Sequence, residues 1–321
     1  MNRISFFSFG TALIFFSVFF LASCSNNKEI IEAYNNGNFE KAESLCKPLA
    51  EKDEPNCLYL LGRMAYEGSG RLQNKEEAYK LIGKAAQLNH RNAQFFLGMM
   101  LINDEQEIDN ISEDALNNIM YAAEGGLPVA QETYYSIISK KKNATEEEKK
   151  KAELFLNSAA EKGNASAQVI LGSQYCVPVS TVTACQEQGI PLLEKAAADN
   201  MFAQRSLGIV YYSRNEFDKS IEPLRKAALQ GDGESAFFLG RIYLVGKGYE
   251  DGYKWIKAAS VAGVKGADEQ LKTFSSSGNA SLIQEGEKRY AQIRKTIEYN
   301  KMILKRRVET RDIEKAFLDK I

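Results

Sequence analysis

A phrase of small residues recurs along this chain of 321 residues and limits what it can fold into more than any other feature. Residues 85–98 read AAQLNHRNAQFFLG, residues 122–135 AAEGGLPVAQETYY, residues 159–172 AAEKGNASAQVILG and residues 227–240 AALQGDGESAFFLG. Shorter or looser copies stand at 196–208, AAADNMFAQRSLG, and 259–272, ASVAGVKGADEQLK. The leading alanines, Ala85, Ala122, Ala159, Ala196, Ala227 and Ala259, advance by 37, 37, 37, 31 and 32 positions. A period of this size marks a stacked array, whose units are too small to enclose a core alone and bury their apolar faces against neighbours.

Between one Leu-Gly and the next Ala-Ala, the spacing predicts a helix end, a turn and a second helix. In residues 61–86, Leu61, Met64 and Ala65 recur at helical spacing, Gly68 and Gly70 interrupt, and Ala78, Leu81, Ile82 and Ala85 resume the pattern. Thr145 followed by Glu148 has the form of a capping box, and Gly126, Gly163 and Gly231 fall where a helix needs a left-handed stop. Alternating runs of the β type are scarce and proline numbers only 6, so the body reads as all-α.

The recurring residues carry a resemblance. LGRMAYEGSG at 61–70 and LGRIYLVGKGYEDGYKWIKAASVAG at 239–263, with Tyr66, Tyr243 and Trp255 near the aromatic positions, are similar to Sel-one-like repeats, relatives of tetratricopeptide arrays. The match loosens around 130–151, and residues 30–50 look more like a tetratricopeptide half-unit. The resemblance spans roughly residues 28–274 and implies a right-handed α-solenoid of antiparallel helix pairs. It implies no active site, because scaffolds of this kind share a frame and differ in partner.

The two ends read differently from the body. Residues 4–22, ISFFSFGTALIFFSVFFLA, form an apolar run long enough to span a bilayer. LASC at Leu21–Cys24, followed by polar SNNK, resembles a bacterial lipoprotein box, which makes residues 1–23 a signal peptide and Cys24 the lipidated residue. Ser25 after the cysteine, by resemblance to Gram-negative lipoproteins, favours the outer membrane with the chain facing the periplasm. The other reading is an uncleaved anchor. At the far end, residues 279–321 form a charged segment with Ile293, Ile297, Leu304 and Val308 at helical spacing. From 284 onward it holds 11 Lys or Arg against 7 Asp or Glu. This predicts a long terminal helix, which either caps the array over residues 24–278 or meets an acidic partner or anionic lipid.

Apart from Cys24, the cysteines form two local pairs, Cys46 with Cys57 and Cys176 with Cys185. An even number in an oxidising compartment points to disulfides, and neither pair has the spacing of a zinc site. Candidate chemistry is sparse. His90, the one histidine, sits in an inter-repeat turn, where a surface turn residue is expected. Gly68/Gly70 and Gly246/Gly248 follow no strand and match no phosphate loop. KKKNATEEEKKK at 140–151 reads as a solvated charge run. The tyrosines and phenylalanines at repeat spacing read as core.

No cofactor or metal is implied, and 41 basic against 42 acidic residues give nucleic-acid binding no support. The expected role is therefore a non-enzymatic protein binder, with a partner in the groove of the solenoid and a membrane tie through Cys24. By resemblance, repeat lipoproteins of this kind include immunity proteins that neutralise type VI secreted phospholipase effectors. Scaffolds for envelope or polysaccharide export are the alternative, and a cell-wall hydrolase is a third class. Gln94, Gln131, Gln168 and Gln204 follow the small position of each phrase and are expected as outward partner contacts. Local hydrogen bonding is their other reading. Loops 140–145 and 177–184 depart most from the repeat and are where specificity is expected.

Overall fold

The computed structural model describes residues 27–105, 111–176, 182–198, 200–246, 248–276 and 279–318; residues 104, 105, 182 and 304–318 are described by backbone alone. The leader, Cys24 and residues 177–181 lie outside these ranges. No strand occurs among the described residues. The helices fall in two compact units, one running to Ala130 and also taking in the chain from Glu314 onward, the other spanning Gln131–Ile313.

The first unit holds α1 (27–35), α2 (Phe39–Ala50), α3 (Pro55–Glu67), α4 (Lys75–Gln87), α5 (Arg91–Glu105), α6 (Glu113–Glu124) and the start of α7 (Pro128–Ile138). The second holds the rest of α7, α8 (Glu146–Glu161), α9 (Ala165–Cys176), α10 (Val182–Ala184) and a π-helical turn at Cys185–Gly189. It continues with α11 (Ile190–Ala196), α12 (Met201–Ser213), α13 (Phe217–Leu229), α14 (Gly233–Val245), α15 (Tyr249–Val261), α16 (Ala267–Ser276) and, as far as Ile313, α17 (Ala280–Leu318). Each unit is a stack of antiparallel helix pairs, as the repeat implied.

Side-chain caps place the helix starts. Asn38, Asn74, Ser112, Asn200 and Asp232 accept a backbone N–H at the third residue of the helix that follows. Thr145 and Glu148 form the reciprocal capping box that the sequence announces. Gly126, Gly163 and Gly231 take φ of 82°, 85° and 100°, the left-handed stops expected of them.

The small residues set the helix–helix distance. Ala42, Ala78, Ala115, Ala159 and Ala227 are buried, with Leu58, Leu60, Met64 and Ile82 filling the first unit and Leu156, Leu193, Leu224, Leu239 and Ile256 the second. A methyl group added at Gly62 would stand 2.6 Å from Ile82 Cγ1 and 3.2 Å from its backbone nitrogen, so α3 and α4 cross almost backbone to backbone. Gly208 meets Leu224 and Gly240 meets Ile256 in the same way.

The terminal helix packs as a closing layer. Tyr290 joins the last core cluster, and Ile293 and Ile297 lie against it. Glu287 accepts from Tyr253 Oη at 2.7 Å and pairs with Lys257 at 3.1 Å, while Arg289 pairs with Asp251 at 3.0 Å. Further on, Asn300 Nδ2 donates to the Leu229 carbonyl at 3.0 Å. Over residues 282–303 the packing is that of a cap; Leu304 and Val308 lie where side chains are not described.

Two neighbouring glycines separate packing from propensity. Gly62→Ala forces Ile82 aside and is expected to cost about 1–3 kcal/mol. At Gly83, in α4, an added methyl meets nothing within 4 Å. Gly83→Ala is expected to gain roughly 0.5–1 kcal/mol from helix propensity alone. Urea unfolding of both variants checks the opposite signs.

Candidate functional site

The glutamines singled out from the sequence are not outward contacts. Gln94, Gln131, Gln168 and Gln204 are all buried. Gln94 Nε2 donates to the Ala86 carbonyl at 3.3 Å, Gln168 Nε2 to Ala160 at 3.0 Å and Gln204 Nε2 to Ala197 at 2.8 Å. The physical reason lies in the preceding helix: its last carbonyls have no partner within the helix, and a glutamine one turn into the next helix supplies the donor. Their recurrence eight residues after an alanine, 86 to 94 and 160 to 168, was the available signal.

His90 is likewise buried rather than a surface turn residue. Its Nδ1 accepts from Ala93 N at 3.1 Å, the N-cap bond that asparagine makes elsewhere, and its Nε2 lies 3.1 Å from Asn56 Oδ1. With Nδ1 accepting, the ring is the tautomer that carries its proton on Nε2. The one imidazole of the chain thus has both nitrogens engaged as a joint between helices.

The two cysteine pairs differ. Cys176 and Cys185 form a disulfide that ties the end of α9 to the π-helical turn. The bond expected between Cys46 and Cys57 is not formed: both are free and buried, on α2 and α3. The Cys46 thiol beside it, reinforced by burial and by the Glu54 carboxylate, pushes the Cys57 thiol well above its ordinary pKa. A protonated, enclosed sulfur is a poor nucleophile.

A buried polar cluster in the first unit leaves no signal in the sequence. Arg63 on α3 is 2 % exposed. Its Nε donates to Glu67 Oε1 at 3.0 Å, with Nη2 on the same oxygen. The other carboxylate oxygen accepts from Tyr34 Oη of α1 at 2.9 Å. The guanidinium carbon lies 5.9 Å from the Tyr59 ring centre and 5.4 Å from that of Phe96 on α5. Burial disfavours its charge, but Tyr59, Glu67 and Tyr34 outweigh that and raise its pKa. Three successive layers therefore meet on one ion pair. Nothing repeats it: Arg241, at the corresponding place in α14, is exposed, so periodicity gave no warning.

Among the described residues no group of His, Cys, Asp and Glu could hold a metal ion, and no helix is long and apolar enough to cross a membrane. What the second unit does present is a mixed patch at the starts of α12 and α14. Phe202 is 53 % exposed, and the Arg205 guanidinium lies 5.4 Å from its ring centre. Arg205 also reaches Asp232 at 3.3 Å and Glu234 at 3.4 Å. Asp232 is held by its cap bond to Ser235 N at 2.8 Å, so the arginine is aimed by a fixed carboxylate. An exposed aromatic beside a half-buried arginine held in place is what interface anchors are made of.

The fold has solved counterparts. The chain has the fold of c5321, a protective antigen present in uropathogenic Escherichia coli strains and displaying an SLR fold, with a TM-score of 0.71 and 22 % identity. The match covers 87 % of this chain and 63 % of the antigen, so this chain spans under two thirds of that protein's length. A Sel1 repeat protein from Oxalobacter formigenes is similar with a TM-score of 0.55 and 22 % identity, covering 77 % of this chain and 75 % of that one. No protein-family model and no curated protein matches the sequence.

Two outcomes are expected. Alkylation of the native protein leaves Cys46 and Cys57 unmodified, while alkylation in denaturant without reductant adds two labels at these positions and none at Cys176 or Cys185, which intact-mass and peptide analysis reads directly. Separately, Glu67→Ala strands the buried Arg63 charge and costs about 2–4 kcal/mol, whereas Arg63→Met combined with Glu67→Leu recovers most of that loss. Equilibrium unfolding of the single and double variants tests the pair.

Proposed function

We propose that this protein is a non-enzymatic binding protein, lipid-anchored through Cys24 to the outer membrane on its periplasmic side, and that its partner is another protein. The observation that carries the reading is the patch at Phe202, Arg205 and Glu234, an exposed aromatic and a carboxylate-aimed arginine on two successive first helices of a helix-pair stack. Stacked helix pairs offer extended faces to proteins and peptides. The burial of His90 as a joint between helices, out of reach of a substrate, supports binding rather than acid–base chemistry.

Within that class we assign the protein as an immunity protein that captures and neutralises an antibacterial secreted effector of the type VI phospholipase kind. The support is the lipoprotein box at Leu21–Cys24, with its resemblance to immunity lipoproteins, and a small array suited to one-to-one capture.

Co-expression with the secreted effector encoded beside it is expected to protect the host cell. Phe202→Ala with Arg205→Ala is expected to remove protection and weaken binding by at least about 2 kcal/mol, with circular dichroism and melting unchanged. Cell killing despite normal periplasmic levels of the unaltered protein would overturn the immunity role, and an envelope defect on deletion in a strain lacking the effector would favour an assembly scaffold.

A further inference from the structure

The first unit has two distinct edges. One carries the turns from α1 to α2 and from α3 to α4: Phe39 stands directly beneath Gly70, and Tyr34 at the end of α1 meets Glu67 at the end of α3. The other carries the turns from α2 to α3 and from α4 to α5: Lys84 pairs with Asp53, and His90 Nε2 lies 3.1 Å from Asn56 Oδ1. Because α1 runs antiparallel to α2 across a short turn, its beginning points toward this second edge, with Glu29 paired to Lys41 of α2 at 2.9 Å.

That placement matters because α1 is no loose leader to the array. Ile30, Ala33 and Tyr34 are buried in the first core cluster. From Cys24 to Asn27 there are three peptide steps, at most about 11 Å when fully extended. The helix then rises only about 4.5 Å to Ile30. A lipid on Cys24 therefore leaves the folded body almost no tether.

We infer that the edge formed by the start of α1 and the turns at 51–54 and 88–90 lies against the lipid headgroups, making it a membrane-apposed surface of the folded array. The inference rests on the lipid anchoring at Cys24 proposed above. The chemistry of the edge suits it. Lys28, Lys52 and Lys84 are exposed there to meet lipid phosphates, Glu29, Glu51 and Asp53 balance them so that the edge is near neutral, and Leu88 is exposed between them. A partner reaching the first unit would have to approach from the opposite edge or from the helix faces.

The test uses the full-length lipoprotein in vesicles that contain phosphatidylethanolamine, treated with a short amine-to-amine crosslinker and analysed by peptide mass spectrometry. Lysine-to-headgroup adducts are expected at Lys28, Lys52 and Lys84 and far less at Lys75, which is exposed on the opposite edge. Inserting a Gly/Ser linker of about 20 residues after Asn26 lets the body drift by roughly 25 Å. It is expected to lower the three adducts roughly 20-fold, following the three-halves power of tether length. Equal labelling of Lys75 and the three edge lysines on protein whose Cys24 carries lipid by mass would overturn the surface. An unmodified Cys24 would overturn the anchoring reading, and this surface with it.

Discussion

Everything in this structure depends on how closely consecutive helices approach at their small residues. With glycine at 62, 208 and 240, the side chain of the facing helix sits directly on the backbone, and Ile82, Leu224 and Ile256 each occupy the space a methyl group would take. Such a crossing excludes water and fixes the angle of the pair, but it buries little apolar area within the pair itself. The larger side chains must then be covered by the next pair. Phe96 on α5 closes over Tyr66 and Tyr59 of α3, and Phe238 on α14 closes over Tyr212 of α12. Each pair is thus completed by its successor, and stability is a property of the stack.

The polar groups obey the same geometry. A helix that ends at a tight joint leaves carbonyls facing the start of the next helix, where water is excluded and a donor must come from protein. Glutamine at 94, 168 and 204 provides it, with histidine at 90 and asparagine at 164 and 200 capping the following helix. The glutamines and His90 look like surface in a sequence and are buried, while the two asparagines are half-buried.

The helices and their order were legible from sequence because apolar spacing and caps are local signals repeated six times. Thr145 with Glu148, and the stops at Gly126, Gly163 and Gly231, could be placed to the residue. The candidate contacts could not. Polarity at Gln94 or Gln168 permits either an outward contact or a local hydrogen bond, and the alanine eight residues earlier, which names the bonding partner, decides for the second. Arg63 left no trace, because its burial depends on Tyr34, Glu67 and Phe96 arriving from three different layers. The free thiols at Cys46 and Cys57 could not be told from a bonded pair by spacing, since adjacency in a turn permits both. Phe202 and Arg205 sit inside the repeated phrase, and only the accessible surface separates them from core positions.

The turns of the two kinds differ in length. From second helix to first they run short: 88–90, 125–127, 162–164 and 230–232 each hold three residues, 51–54 holds four and 262–266 five. From first helix to second they range from three residues at 214–216 to seven at 68–74 and 139–145, and between α9 and α11 the chain inserts a disulfide, a short helix and a π-helical turn. The joints made by alanine, glycine and glutamine lie at the turns from second helix to first, so added length there would break the fit of the next pair. Length added at the other turns disturbs no joint. Variation among proteins built on this frame should therefore accumulate at the uneven turns, and an engineer wishing to change what the array recognises has room there that the opposite side denies.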